Sequence, residues 1–521
     1  MESSPATVTA ETSRGYAATA AHGSAWMTAQ TVLNKLATIL AGFLLARLLS
    51  PDDYGLAFFA VSVAVFAFVF PTPVMGDVLL AEQKRFQQIA GAANLVMWIA
   101  AIAMCAVLAS LAIPLENFDG RAGLAVLILV AAMRPVADAV LAVANARMRI
   151  DLAYRRIAII DGTVTLAATI SSLAMAYLGA GPISLALPPV AALALRGILY
   201  WRSIRGRVDL TVRREELRPV ARRYMVAGFG QYINNILLAL EIVVLGLATD
   251  KTEVGLFVLA ATYAIQANSV IAGQIGAVLQ PIFAHVHGDA ARQVGGFLRA
   301  TRLLSAIAVP LSLVQAAIAV PVFQLLFEPE WTGSIAIFSV LSVAQAFVFV
   351  SAPSIALLKA QGRFRAYLLL QFAQLATAAA AFPAAVLYGG PIALESAAWV
   401  GFPVDESAGK ALALACASAV VWASFCPLAV WIGGRPAGLG FGTTLRLFLE
   451  PWIATLPVMA ALVGCWIGLR AVAPQGMADA ATIAVLAPIA ALVAIIASSR
   501  MRESTRTDFN AVVARFLKRK G

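Results

Sequence analysis

The sequence predicts an all-α polytopic membrane protein of about fourteen transmembrane helices. Composition, the spacing of apolar runs and the sidedness of lysine and arginine predict it together. Of 521 residues, 61% are hydrophobic and only 12% charged, with a mean hydropathy of +0.85. A soluble chain carries roughly 25% charged residues. At half that charge the surface cannot be covered with polar groups in water, so lipid must be most of the solvent. A hydrocarbon core about 30 Å thick needs about 20 mostly apolar residues per helix. Runs of that kind lie near 24–46, 54–80, 90–113, 122–145, 157–179 and 182–201, then, after a charged segment at 202–223, near 224–248, 254–281, 303–327, 332–358, 366–388, 411–432, 448–469 and 477–499. The period-2 alternation of a barrel is absent, so helices must satisfy the backbone.

Sidedness orients these runs. With the N-terminus in the cytoplasm and the sides alternating, 30 of the 38 Lys and Arg fall in cytoplasmic segments and five outside (Arg47, Arg121, Lys251, Lys410 and Arg470). Lys35, Arg134 and Arg196 lie inside runs. Such a bias is the positive-inside pattern of a multi-pass protein of a bacterial inner membrane with both termini cytoplasmic. It also accounts for the net charge of +11 without a nucleic-acid partner, because no continuous basic face forms. The expected organisation is a cytoplasmic tail at 1–23, a six-helix bundle at 24–201, a basic cytoplasmic linker at 202–223, a second six-helix bundle at 224–435, two added helices at 448–499 and a basic tail at 500–521. Phe509, Val512, Val513, Phe516 and Leu517 share one face of a tail helix suited to an anionic leaflet or, equally, form a frayed end. No cleavable signal peptide is expected, since the first apolar run is too long for one.

The two bundles echo each other. At an offset of 200, Asp53-Tyr54-Gly55-Leu56 aligns with Glu253-Val254-Gly255-Leu256, and Asn34-Lys35 with Asn234-Asn235. Farther on, Arg147 to Tyr154 echoes Gly362 to Tyr367, and both copies reach Gly-Pro, at 181–182 and 390–391. Copies of six spans enter the membrane in the same direction. They are then related by an axis along the membrane normal, with the substrate site expected between them.

The segment Ala46-Arg47-Leu48-Leu49-Ser50-Pro51-Asp52-Asp53-Tyr54-Gly55-Leu56 resembles the first-loop signature of the polysaccharide-unit flippases of the multidrug/oligosaccharidyl-lipid/polysaccharide exporter superfamily. Phe327-Glu328-Pro329-Glu330-Trp331 and Gln361-Gly362-Arg363-Phe364 are similar to that family's segments before and after its tenth helix. The resemblance covers about residues 24–435. It implies two six-helix bundles around a central cavity, alternating access, and a polyprenyl-pyrophosphate-linked oligosaccharide as cargo for lipopolysaccharide, capsule or exopolysaccharide. Polysaccharide polymerase or export machinery is a partner it leaves open. The chain departs from the family pattern at Val74 to Gln83 and in a longer 389–410 loop.

Moving such a cargo requires a hydrated, preferably cationic passage. A charge near the bilayer centre costs about 2.5–3.5 kcal/mol on insertion scales, so each one needs a reason. In the first helix Lys35 shares a face with Thr31, Asn34 and Thr38. The seventh carries Gln231, Asn234, Asn235 and Glu241. These read as cavity walls or, alternatively, as helix–helix hydrogen bonding. Arg134 and Asp138, four apart, either neutralise each other or place Arg134 against the pyrophosphate. Arg196 reads as snorkelling toward the cytoplasm or as cavity-lining. Asp77, Glu241 and Asp138 are candidates for ion coupling, and Pro71 with Pro73 for a hinge. Thr262, Gln266, Ser269, Gly273 and Gly276 form a small or polar stripe in the eighth helix.

No phosphate-binding GxxxxGK[ST] loop occurs, and His22, His285 and His287 form no HExxH pair. The four cysteines show no CxxC spacing, so no metal or cofactor is expected. The competing readings are a cation-coupled drug antiporter of the same superfamily and, further off, a membrane-embedded polysaccharide polymerase or ligase. The cationic Lys35, Arg134 and Arg196 favour an anionic cargo over a drug cation. The short outer loops disfavour an enzyme.

Overall fold

The computed structural model describes residues 30, 33–67, 72–204, 208–285, 290–361, 363–400 and 406–500. The tails and Pro71 lie outside them. Among the described residues there is no strand, and eleven helices are long and apolar enough to cross a membrane. They correspond to every expected run except the first, second and eighth. The described part of the first run is helix α1, 33–48. The described parts of the second run are α2, Pro51–Ala67, and α3, Thr72–Ala81. The eighth is α10, Lys251–His285.

The chain divides into two compact units. The first holds residues up to Leu49 and Leu56–Ala239, the second Ser50–Gly55 and everything from Leu240 onward.

In the first unit, α4 (Phe86–Asp119) ends on Gly120, whose φ of 73° lets its N–H reach the Glu116 carbonyl at 2.7 Å. The fourth span is two pieces, α5 (Leu124–Ala132) and α6 (Arg134–Ile150), divided at Met133. Pro135 has no N–H to offer the Ala131 carbonyl, so the ladder breaks there. α7 (Tyr154–Tyr177) and α8 (Ile183–Ile204) complete the bundle. α6 packs against α3, α4 and α8, and α7 against α8. Met75, Leu79, Phe86, Ile89, Val143, Val220 and Tyr224 form one core cluster.

The expected linker at 202–223 is largely helical. α8 runs to Ile204, and α9, Arg214–Ala248, begins ten residues before the seventh span was expected. The segment 208–213 crosses α4 at Gly91, where an added Cβ would lie 2.4 Å from the Thr211 carbonyl oxygen. Asp209 N–H donates to Gln87 Oε1 at 2.8 Å, and Asp209 Oδ1 accepts the Thr211 N–H at 2.9 Å. The Thr211 hydrogen bonds hold the Asp209 carboxyl below the usual carboxylate range.

In the second unit α13 (Ser334–Ala360) is central, packed by α10, α11 (Ala290–Ala317, followed by the short α12, Ala319–Leu326) and α16 (Gly409–Gly434), with α14 (Phe364–Tyr388) on α16. This repeats, helix for helix, the packing of α6 with α3, α4 and α8 and of α7 on α8. The turns correspond too: Ala153 N–H bonds the Met148 carbonyl and Arg363 N–H the Leu358 carbonyl, both at 3.0 Å. The structural match is thus Tyr154 with Phe364, the first residues of α7 and α14, three residues away from the Tyr154–Tyr367 echo. The added helices are α17 (Phe441–Val472) and α18 (Gln475–Ala481), which leads through a π turn into α19 (Ala487–Arg500). α17 and α19 lie against α11. Within the expected 389–410 loop, Gly390–Val400 is helical (α15).

The repeat signature is itself a contact. An added Cβ on Gly55 would fall 1.8 Å from the Lys251 carbonyl oxygen, and one on Gly255 would fall 1.9 Å from that of Pro51. Each glycine thus sits on the residue that opens the other's helix, and the two glycines, like the two opening residues, are 200 apart. Thr252 Oγ1 donates to Asp52 Oδ1 at 2.5 Å, again 200 apart. Without water to drive helices together, such close backbone approach is how membrane helices gain packing energy. The two family-like segments meet at the same place. The Tyr54 ring stands edge-on to the fully buried Trp331, with centroids 5.2 Å apart.

Candidate functional site

The candidates are the polar side chains that the helices carry into apolar surroundings. In the first unit, Asn34 and Lys35 are half-buried on α1, and Thr38 Oγ1 donates back to the Asn34 carbonyl at 2.8 Å, as Thr does in helices. On α9, Gln231 Nε2 donates to Asn235 Oδ1 at 3.2 Å, with Asn234 half-buried beside it. Tyr232 OH donates to the Phe66 carbonyl at 2.7 Å and fixes this stretch of α9 on α2.

Arg134 and Asp138 do form an ion pair, with Nε 4.0 Å from Oδ2, at the outer limit of contact. The Arg134 side chain remains 54% exposed and Asp138 22%. Arg134 lies near the middle of the span Leu124–Ile150, so a guanidinium this exposed needs water or an anion beside it.

Arg196 is differently placed. Its Nε lies 3.0 Å from Asp161 Oδ1 of α7, and its Nη2 donates to Thr165 Oγ1 at 3.2 Å. Tyr200 OH donates to the same Asp161 oxygen at 2.8 Å. Four side chains therefore bind α7 to α8, and Arg196 neither snorkels freely nor offers an uncompensated charge. Asp161 was not singled out from sequence. Its partner lies 35 residues ahead on another helix, and helical periodicity gives a residue's face without giving its neighbour.

Asp77 is exposed on α3. Pro73 occupies the second position of that helix, where its missing N–H has no intrahelical partner to lose. Directly after α3, Glu82 pairs with Arg85 at 3.4 Å and with Arg223, and Arg85 reaches Glu216 of α9.

In the second unit, Glu241 faces Ser418 and Trp422 of α16. Buried amides add a network with no counterpart among the expected residues. Gln315 Nε2 donates to the Ala264 carbonyl and to Ser342 Oγ, both at 3.0 Å, and Asn268 Nδ2 to Ser312 Oγ at 2.6 Å. Amides are common in polar loops too, so only burial distinguishes these. In the eighth-helix stripe, Thr262 is exposed and Ser269 bonds the Gln266 carbonyl at 2.9 Å. At the helix openings, Glu253 is buried and its Oε2 accepts the Ala411 N–H at 3.2 Å, while Lys410 Nζ bonds the Ala248 carbonyl at 3.1 Å. No group of His, Cys, Asp or Glu suited to a metal ion occurs among the described residues.

A model of the family described as "Polysaccharide biosynthesis protein" matches residues 44–336, more than half of the chain. The chain belongs to that family. No curated protein sequence matches it. Among solved structures, it is similar to the lipid II flippase MurJ in an inward closed conformation, with a TM-score of 0.66 and 11% identity over 91% of this chain and 98% of that one. It is also similar to an inward-facing multidrug resistance MATE family transporter of the MOP superfamily, with a TM-score of 0.52 and 13% identity over 77% of this chain and 96% of that one. At such identities the likeness establishes the fold. Family and fold together make this a polysaccharide biosynthesis protein with the fold shared by that lipid II flippase and that MATE transporter.

Proposed function

We propose that this protein is a flippase that carries a polyprenyl-pyrophosphate-linked oligosaccharide from the cytoplasmic to the outer leaflet of the bacterial inner membrane by alternating access. The observation that carries the reading is Arg134, an arginine more than half exposed in mid-span and only loosely held by Asp138. A charge in that position is retained at a cost of a few kcal/mol. A passing pyrophosphate is the counter-ion that repays it, since guanidinium binds phosphate oxygens through paired N–H groups. In this reading Lys35 serves as a second cationic step, and Asn34, Gln231, Asn234 and Asn235 supply amides for the sugar hydroxyls. Arg196, already neutralised by Asp161, supports α7 and α8 instead. Glu241, Asp77 and Asp138 are the carboxylates proposed for ion coupling. Pro73, together with Pro71 outside the described residues, marks the proposed hinge.

The added helices support a flippase over a drug antiporter. The lipid II flippase match leaves less of this chain uncovered than residues 441–500 occupy, so it takes in part of α17–α19. The MATE match leaves room for the whole pair outside it.

The test is flipping of a lipid-linked oligosaccharide in proteoliposomes by wild type, Lys35→Ala and Arg134→Ala. Both variants are expected to insert normally and lose transport. Full transport by both would remove the cationic-passage reading. In cells, deletion should accumulate lipid-linked intermediates on the cytoplasmic face, whereas unchanged glycans with altered drug tolerance would favour the antiporter.

A further inference from the structure

Two prolines inside helices of the second unit leave carbonyls open, and both carbonyls lie at one place. Pro310 of α11 has no N–H for the Ala306 carbonyl, and Pro451 of α17 has none for that of Leu447. Inside a bilayer such a carbonyl must find another donor. The Ser498 hydroxyl of α19 supplies one to Ala306 at 2.8 Å, and the Ser305 hydroxyl of α11 supplies one to Leu447. Each break is thus closed by a side chain from a neighbouring helix. The arrangement is particular to these two. The carbonyls four residues before Pro353, Pro383 and Pro427 meet no side-chain donor among the described residues.

The two breaks share a cavity of about 20 Å³, whose lining includes Arg302, Ser305, Ala306, Leu447, Pro451 and Ser498. That is room for one water molecule. Arg302, whose Nε is buried without a hydrogen-bond partner among the described residues, adds a donor to the lining. Ser498 also has a second acceptor. Its single hydroxyl hydrogen reaches the Ala306 carbonyl at 2.8 Å or the Ile495 carbonyl of its own helix at 3.0 Å. When α19 withdraws, the hydroxyl keeps a bond and a water molecule can take its place on Ala306. Such an exchange trades one hydrogen bond for another of nearly equal enthalpy. On α17, Thr455 Oγ1 donates back to the Pro451 carbonyl at 2.6 Å, a bond that favours bending at the same turn.

We propose that Pro310 and Pro451 form two adjoining flexing joints, in which the hydroxyls of Ser498 and Ser305 hold the freed carbonyls and make the bend of α11 depend on the added helices α17 and α19. The added helices then govern the shape of a helix that packs directly on the central α13. The inference involves neither Lys35 nor Arg134, and it stands whatever the cargo is.

The test is amide hydrogen exchange over residues 302–314, read by mass spectrometry on the purified full-length protein. Ser498→Ala strips the Ala306 carbonyl of its donor, so exchange in α11 should quicken about tenfold although the substitution lies on α19. Ser498→Thr keeps a hydroxyl and should exchange like wild type. Pro310→Ala returns a backbone N–H to Ala306, so adding Ser498→Ala to it should change exchange by less than about twofold. Pro383→Ala, at a proline without a serine partner, should leave the Ser498→Ala effect intact. Pro451→Ala should in the same way cancel the effect of Ser305→Ala on residues 445–455. Wild-type exchange in Ser498→Ala, an undiminished rise in the Pro310→Ala background, or equal rescue by Pro383→Ala would each overturn the proposal.

Discussion

The glycine crossing gives the sharpest prediction for the fold. Gly55→Ala places a methyl group 1.8 Å from the Lys251 carbonyl oxygen and 3.0 Å from the Gly255 nitrogen. Gly255→Ala places one 1.9 Å from the Pro51 carbonyl oxygen and 2.6 Å from its carbon. In every case the obstructing atom is backbone, so no side chain can rotate away, and the helices must part by more than 1 Å. Overpacking of this kind costs about 1–3 kcal/mol. Here the parting also strains the Thr252–Asp52 bond and the Tyr54–Trp331 contact, so each single variant belongs at the upper end. The two sites share one crossing, so their costs should not add. Once one methyl has opened the gap, the second finds space, and the double variant should be about 1–2 kcal/mol less destabilised than the sum. Thermal melting of purified wild type, both singles and the double closes the cycle. Singles that melt like wild type, or strict additivity, would refute the idea that the crossing is a tight two-sided contact.

Other substitutions probe features farther along the chain. Asp161→Ala should destabilise the protein by about 2–3 kcal/mol by leaving Arg196 uncompensated in its span, and Asp161→Ala/Arg196→Ala should recover much of that in the same melting assay. Gly91→Ala should displace the 208–213 segment, since its Cβ would meet the Thr211 and Leu210 carbonyl oxygens at 2.4 and 2.6 Å; faster proteolysis near residue 208 is the readout. The Glu330 carboxyl is held above its ordinary range by burial first, and then by Glu328, Asp53 and Asp52. A raised folded-state value means that the folded protein holds this proton more tightly than the unfolded one. The associated stability is present at acid pH and lost as pH rises through the raised value. Glu330→Gln should therefore melt higher than wild type at pH 7 and equally at pH 4; a pH-independent difference would contradict this.

The features legible in the sequence are those that the bilayer imposes along the chain. An apolar run must be about 20 residues long wherever it crosses lipid, which is why eleven of the expected runs reappear as long apolar helices. Gly55 and Gly255 were visible because a backbone contact leaves room for no other residue. Features that depend on which helix lies beside which were hidden. Nothing in the order of residues joins Asp161 to Arg196, or Gln315 to Ser342. The Met133 break has a signal, Pro135, but an X-Pro pair in a long apolar run can be absorbed as a kink, so the fourth span read as one piece. The helical character of much of the expected linker was hidden for a related reason. Arginines at 213–223 resemble a solvated loop, whereas Val220 and Tyr224 on the same stretch of α9 are buried against α3, α4 and α6.

The packing of α11 bears on how the protein is made. Ser498 Oγ donates to the Ala306 carbonyl at 2.8 Å, and Ser305 Oγ to the Leu447 carbonyl, so two flanks of α11 are closed by helices made well over a hundred residues later. At about 5–20 residues per second, ribosomes need on the order of 10–30 s after Ser305 emerges to produce α17 and most of α19. For that interval α11 sits in the bilayer with its serines facing lipid. The second bundle can therefore reach its final packing only once residue 498 has been made, and a nascent chain stalled between residues 320 and 440 should be the species that quality-control proteases recognise.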